Sequence, residues 1–171
     1  MFALTERRLS AEWALLEQLA AVNAGRLTGL RRDGAEFHTT LHGPSAMSIP
    51  RQQHGDCLFV HDLRVEFPVH FPAVPMEMYL RIPVVHPNVH PETGFVCLWE
   101  RHRVSNSVEL ALHRLVAMLA GTLCNDRAPH VMQPDALPCE GGPAMPLQGV
   151  AYEAAPYLDV SASSARRRRL L

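Results

Sequence analysis

Three residue types that serve nucleophilic catalysis lie close together in one proline-containing segment of the chain. His86-Pro87-Asn88 is followed, after eight residues, by Cys97-Leu98. A thiol is a good nucleophile and a good leaving group, so Cys97 suits acyl transfer through a covalent intermediate. Cysteine, histidine and asparagine also build cysteine hydrolase sites, although such sites usually draw on separate elements rather than one loop. The alternative for Cys97 is a buried apolar cysteine, the commonest fate of an isolated thiol.

The residues around this segment carry a resemblance to ubiquitin-conjugating enzymes. Phe-Pro pairs and a further proline precede the tripeptide, and a glycine lies in the turn before the cysteine: Phe67-Pro68, Phe71-Pro72, Pro75 and Gly94. The sequence resembles that family closely from Phe67 to Leu98, and in the order of its elements over residues 5–137. The resemblance implies an α+β fold with an N-terminal helix, a four-stranded antiparallel meander, a long active-site loop and a central helix.

The activity that the resemblance implies is thioester-forming transfer of a ubiquitin-like protein. The modifier would pass from an activating enzyme to Cys97 and then to an amine of a target protein, without a cofactor or a metal. Each transfer passes through a tetrahedral oxyanion that a neutral donor stabilises. By resemblance, Asn88 supplies that donor or holds the loop that shapes the site. His86 is expected to tie the loop down by hydrogen bonds, and Pro87 fixes the backbone between them.

Aminolysis also needs a group that orients or deprotonates the incoming amine. The family commonly places an acidic residue at a set distance beyond the cysteine, and in this chain that register falls on Pro129 or His130. Asp126 and His130 are the candidates in the same loop, although a solvated loop histidine explains His130 equally well. The base is left open between these two residues.

Other departures from the family concern the recruitment of partners. Trp99 stands where the family often has Asp, Ser105-Asn106-Ser107 replaces its Trp-Ser-Pro, and Ala73 stands where an aromatic residue commonly meets ubiquitin ligases. With these departures the chain is similar to the standalone conjugating enzymes of bacterial ubiquitin-like operons, several of which are linked to defence against phage. On the first helix, Arg7-Arg8-Leu9 resembles the basic edge that contacts activating enzymes, the alternative being a solvated face.

Hydrophobic periodicity predicts the elements that position the segment. Thr5 is expected to cap the first helix, Asp33-Gly34 to form a hairpin turn, and Asn106 with Glu109 to start the second helix in a capping-box-like manner. Residues 43–56 and 83–104 are expected to be loops. The expected elements are a helix over 5–22, strands over 27–32, 37–42, 63–67 and 76–82, and a helix from about Ser107 to Gly121.

Composition limits the classes of function. The 171 residues are 47% hydrophobic and 19% charged, which is enough apolar sequence for a buried core. A net charge of -1 provides no field to recruit nucleic acid or a membrane surface, and no apolar run reaches membrane-spanning length. The four cysteines include no C-x-x-C pair, so a protein of the reducing cytoplasm is expected. We expect a conjugating-enzyme-like domain over residues 1–137 and an extension over 138–171 that ends in the basic run Arg166–Arg169.

All sixteen basic residues are arginines. Codon bias explains the missing lysines, and so does the need of a thioester-carrying enzyme to avoid acylating its own amines. Three other classes of function are possible for these residues. A zinc site is disfavoured because Pro87 and Pro91 prevent His86 and His90 from sharing a helical face. A catalytically inactive variant of the same fold, acting as a binding module, is the first alternative, and a cysteine hydrolase is a weaker one.

Overall fold

The computed structural model describes residues 2–49, 57–124, 131–136 and 146–150, with side chains from residue 5 onward. The helices and strands are, in chain order, α1 (Phe2–Val22), β1 (Leu27–Asp33), β2 (Glu36–Met47), β3 (Cys57–Glu66), β4 (Glu77–Leu80) and α2 (Val108–Leu119). The four strands form one antiparallel sheet in the order β1-β2-β3-β4. The predicted α+β architecture is therefore confirmed: an N-terminal helix, a four-stranded antiparallel meander, a long loop and a later helix.

The turn between β1 and β2 is shifted by one residue from its predicted position. Asp33 pairs with Glu36, so the two-residue loop is Gly34-Ala35 rather than Asp33-Gly34. Gly34 has a φ of +58°, as expected for a glycine at the first central position of a hairpin turn. Among the described residues, only glycines have a positive φ. The hairpin itself was predicted correctly.

Three predicted boundaries differ from those of the structure. Helix α1 begins at Phe2 rather than after a Thr5 cap. The loop predicted over residues 43–56 is shorter, since β2 continues to Met47 and pairs there with Cys57. The N-cap of α2 is Ser107 rather than Asn106, and its side chain accepts a 3.3 Å hydrogen bond from the backbone N–H of Leu110.

The core lies between the helices and one face of the sheet. Alternate residues of the strands point into it, as predicted for Phe37, Leu41, Leu63, Met78 and Leu80, all of which are buried. Leu16 and Leu19 of α1 meet Leu112 and Leu115 of α2 in the same cluster. Ile82, predicted to continue the buried face of the fourth strand, is half-exposed because β4 ends at Leu80.

A buried ion pair joins α1 to the start of α2. Arg8 Nε donates a 2.8 Å hydrogen bond to Glu12 Oε1, and Glu12 Oε2 accepts one of 2.7 Å from the backbone N–H of Val108. Arg8 Nη2 also donates to the Asn106 carbonyl at 3.1 Å. Arg8 and Glu12 are 3% and 1% exposed, and burial raises the pKa of the Glu12 carboxyl. The predicted basic edge is therefore wrong for Arg8 and for buried Leu9, while Arg7 is exposed.

Residues 146–150 contact the body of the domain. Leu147 is buried in the core. The Asn23 side chain donates to the Gln148 carbonyl at 2.8 Å and accepts from its N–H at 2.7 Å, and the N–H of Val150 donates to Glu109 Oε1 at 2.7 Å. The domain boundary predicted at residue 137 lies outside the described residues and stays a prediction. Within the described ranges, neither helix is long and apolar enough to cross a bilayer.

Candidate active site

The segment that was predicted to be an irregular loop contains a small hairpin. Val89 and Val96 form an antiparallel bridge, and the N–H of His90 donates to the Phe95 carbonyl at 2.8 Å. The N–H of Cys97 donates to the Asn88 carbonyl at 2.8 Å. The last residue of the tripeptide and the cysteine are consequently held opposite each other by their backbones.

The second arm of this hairpin is fixed to the edge of the sheet. The N–H of Val96 donates to the Met78 carbonyl at 2.8 Å, and the N–H of Leu80 donates to the Gly94 carbonyl at 2.9 Å. Gly94 has a φ of +73°, and a Cβ there would lie 1.9 Å from the Leu80 carbonyl oxygen. Only glycine fits where the two backbones approach so closely. Gly94 is therefore required for the pairing with β4 that ends at Val96, the residue before Cys97.

His86 is buried, and both of its ring nitrogens contact backbone groups. Nδ1 accepts a 3.1 Å hydrogen bond from the N–H of Asn88, so the ring proton lies on Nε2, which donates to the Leu123 carbonyl at 3.2 Å. Burial lowers the pKa of His86, which keeps the ring neutral. A neutral ring with both nitrogens engaged holds the loop and is poorly placed to act as a general base.

Cys97 is partly buried, whereas Cys57 and Cys124 are exposed. Burial raises the pKa of the Cys97 thiol, and a hydrogen bond from the backbone N–H of Trp99 lowers it by a smaller amount. No cation contributes to this pKa within the described chain, so the thiol is mostly protonated at neutral pH.

Two side-chain-to-backbone hydrogen bonds hold the segment after the cysteine. Arg114 of α2 donates from Nε to the Leu98 carbonyl at 2.8 Å and lies 5.9 Å from the centre of the Trp99 ring. His102 Nε2 contacts the Pro72 carbonyl at 2.7 Å, which joins this segment to the proline-rich bend. Trp99 therefore packs against α2, a use that local sequence patterns do not reveal.

The segment 131–136 lies against the tripeptide. The Gln133 side chain donates from Nε2 to the carbonyls of Val84 and Val89, at 2.9 and 2.8 Å, and the N–H of Met132 donates to the Pro87 carbonyl at 2.8 Å. Sequence analysis did not single out Gln133, because nothing local marks a glutamine that bonds to carbonyls more than forty residues away.

The structure brings together His86, Asn88 and Cys97, with Asn88 fully buried. Asp126 and His130 lie outside the described residues, so their positions remain predictions. A cavity of about 430 Å³ lies on the opposite, outward face of the sheet, lined by residues such as Asp62, Arg64 and Arg81, and it contains none of the motif residues. Among the described residues no three His, Cys, Asp or Glu side chains are grouped as metal ligands.

Of the comparisons with known proteins, the one with solved structures finds similar chains. Neither the known protein families nor the curated proteins contain a match to this chain. Among solved structures, the chain is similar to human ubiquitin-conjugating enzyme E2 G1, with 24% identity and a TM-score of 0.43. The similarity covers 66% of this chain and 96% of the human chain.

Proposed function

We propose that this protein is a ubiquitin-like protein conjugating enzyme that carries its modifier as a thioester on Cys97. The observation that carries the proposal is the hairpin that follows His86-Pro87-Asn88 and pairs Asn88 with Cys97, backbone to backbone, at 2.8 Å. The motif and the order of the elements around it support the same activity. The proposed partners are an activating enzyme, the modifier and a target protein.

The proposed chemistry has two balanced steps. In the first, Cys97 Sγ attacks the carbonyl carbon of the modifier's thioester on the activating enzyme, a new S–C bond forms, and the activating enzyme's thiol leaves with the proton from Cys97. In the second, an amine nitrogen attacks the same carbon, the C–N bond forms, and Cys97 leaves as a thiolate while a base takes the amine proton.

The supporting residues have proposed roles in these steps. Asn88 stabilises the oxyanion or holds the loop that does so, and removing such a donor costs about 10²-fold in rate. His86 fixes the loop, in keeping with its two backbone contacts. Asp126 or His130 assists the amine. The support for these two residues is that Leu123 and Met132, which precede and follow them in the chain, contact His86 and Pro87.

We further propose the standalone bacterial type, acting in the cytoplasm within a ubiquitin-like operon of the antiphage kind. The support is the sequence resemblance, together with Trp99, Ala73 and Ser105-Asn106-Ser107 in place of the residues that the family commonly has. The domain would end near residue 137, followed by a C-terminal extension whose residues 146–150 pack back onto the domain. This part of the proposal is tested by the identity of the activating enzyme and modifier that the protein accepts.

The second candidate is an inactive binding module of the same fold. The raised pKa of Cys97 and its partial burial favour this candidate, since both reduce the reactivity of the thiol. A cysteine hydrolase is favoured by no described contact, because both nitrogens of His86 bond to backbone groups rather than to Cys97.

The deciding experiment mixes the purified protein with its candidate activating enzyme, ATP and modifier, and separates the products on non-reducing gels. We expect a higher-mass band that thiol removes, that is lost in Cys97→Ala, and that becomes thiol-resistant in Cys97→Ser. Cys57→Ala and Cys124→Ala are matched controls, because these cysteines lie outside the motif, and both variants should keep the band. No band with a demonstrably charged activating enzyme favours the binding module, and release of free modifier without an activating enzyme favours the hydrolase.

A further inference from the structure

Gln133 connects the two ends of the His86-Pro87-Asn88 turn. Its side-chain amide has two N–H groups, and Nε2 lies 2.9 Å from the Val84 carbonyl and 2.8 Å from the Val89 carbonyl. Val84 lies just before the tripeptide and Val89 just after it. One side chain thus closes the turn across its base, and both of its donors are used.

The two carbonyls belong to differently anchored parts of the fold. Val84 forms an antiparallel bridge with Ser48, next to the end of β2. Val89 forms a bridge with Val96, the residue before Cys97. The Gln133 amide therefore sets the position of the hairpin that carries Cys97 relative to the sheet-anchored start of the turn.

Gln133 is itself held in place by its neighbours. The N–H of Met132 donates to the Pro87 carbonyl at 2.8 Å, and the N–H of Ala136 donates to the Gln133 carbonyl at 3.0 Å. Ala136 is buried, so this turn is packed against the domain. A side chain fixed at its own backbone can transmit that position to the carbonyls that it binds.

From this geometry we propose that Gln133 is a positioning residue, which holds Asn88 in register with Cys97 for transfer. The inference rests on the proposed function. A misplacement of about 1 Å can cost about 10²-fold in rate, and loss of both amide contacts frees the turn to move on that scale. We expect Gln133→Met, which keeps the length of the side chain and removes both donors, to slow discharge of the thioester to a free amine about 10-fold.

The test combines kinetics with a double-mutant cycle. Single-turnover discharge to lysine is measured for the wild type, Gln133→Met, Asn88→Ala and the double variant. If Gln133 acts through Asn88, the substitution at 133 has no further effect once Asn88 is alanine. Equal slowing in both backgrounds indicates a general structural role and overturns the proposal. Gln148→Met is the matched control, since the Gln148 contacts use its backbone and should leave discharge unchanged.

A second readout does not depend on transfer. In ¹H–¹⁵N spectra, Gln133→Met should shift the backbone amides of Asn88, Val89 and Cys97, whereas Gln148→Met should not. If Gln133→Met does not fold, the shorter Gln133→Asn, which cannot reach both carbonyls, replaces it. Absence of any wild-type thioester contradicts the proposed function alone, because the amide shifts still report on Gln133. Unshifted amides in a folded variant overturn the role of Gln133.

Discussion

Cys97 donates its backbone N–H to the carbonyl of Asn88 at 2.8 Å, so the two residues stand opposite each other in a short hairpin. This contact leaves the Cys97 thiol outside the backbone pairing while fixing its Cα against the tripeptide. The arm that carries Cys97 binds the sheet through the N–H of Val96, and Gln133 closes the turn on the other side. Rigid support on both sides is what a transfer site needs, since small displacements of the reacting groups are costly.

Substitution of Gly94 tests the support on the sheet side. A Cβ at this position would lie 1.9 Å from the Leu80 carbonyl, so we expect Gly94→Ala to lower the free energy of unfolding by more than about 3 kcal/mol. The measurement is urea denaturation. Gly34→Ala is the matched control: Gly34 also has a positive φ but open space around it, so its cost should be about 1 kcal/mol. Equal costs would contradict the close approach at Gly94.

The protonation of Cys97 is tested by its rate of alkylation. Burial raises the pKa of this thiol, so less thiolate is present at neutral pH. We expect a variant that keeps only Cys97 to react with iodoacetamide at pH 7 at least about threefold more slowly than one that keeps only the exposed Cys57. The rate for Cys97 should continue to rise at pH values above 9. A faster reaction at Cys97 would show that a cationic or hydrogen-bonding group stabilises its thiolate and outweighs the effect of burial.

Local patterns were sufficient for the parts of the fold and the site that depend on neighbours in sequence. Alternation placed Phe37, Leu63 and Met78 in the core, and the tripeptide with its downstream cysteine marked the segment that became the hairpin. The hairpin arms themselves were missed, because two or three residues are too few to display a period.

Contacts that depend on the tertiary structure were not predictable in the same way. Arg8 looked like an exposed arginine on a helix, and only its burial against Glu12 and the start of α2 reveals a structural role. The cap from Glu12 to Val108 spans 96 positions of sequence, and the contacts of Gln133 span more than forty. No local propensity encodes such pairs, so they appear only once the chain is folded.

Two buried histidines predict a loss of stability in acid. Burial lowers the pKa of His61 and of His86, each from an ordinary value of 6.5. Below about pH 6.5 the unfolded chain binds protons that the folded chain does not, so the free energy of unfolding falls as the pH decreases. Each such proton contributes a slope of about 1.4 kcal/mol per pH unit.

The check is urea denaturation at pH 7.5, 6.5 and 5.5. His61→Gln should reduce the change in the free energy of unfolding per pH unit by the contribution of about one proton. The reason is that the variant lacks one group that binds a proton in the unfolded chain but not in the folded chain. His70→Gln, which replaces an exposed ring, is the control for the removal of a histidine side chain. An unaltered slope in His61→Gln would show that His61 binds its proton equally in both states.

The absence of lysine predicts that the protein, once it carries the modifier as a thioester, does not modify its own side chains. All sixteen basic residues are arginines, and guanidinium groups stay protonated, so they do not attack a thioester at neutral pH. After loading we expect no thiol-resistant adduct on internal residues.

Arg101→Lys introduces an amine on an exposed residue four positions after Cys97, within about 14 Å along the chain, and should create such an adduct. Arg31→Lys, at an exposed position of β1, should not, because β1 is the sheet edge opposite β4, and the arm that carries Cys97 binds to β4. The adducts are located by mass spectrometry, and equal modification of both variants would show that proximity to Cys97 does not direct the transfer.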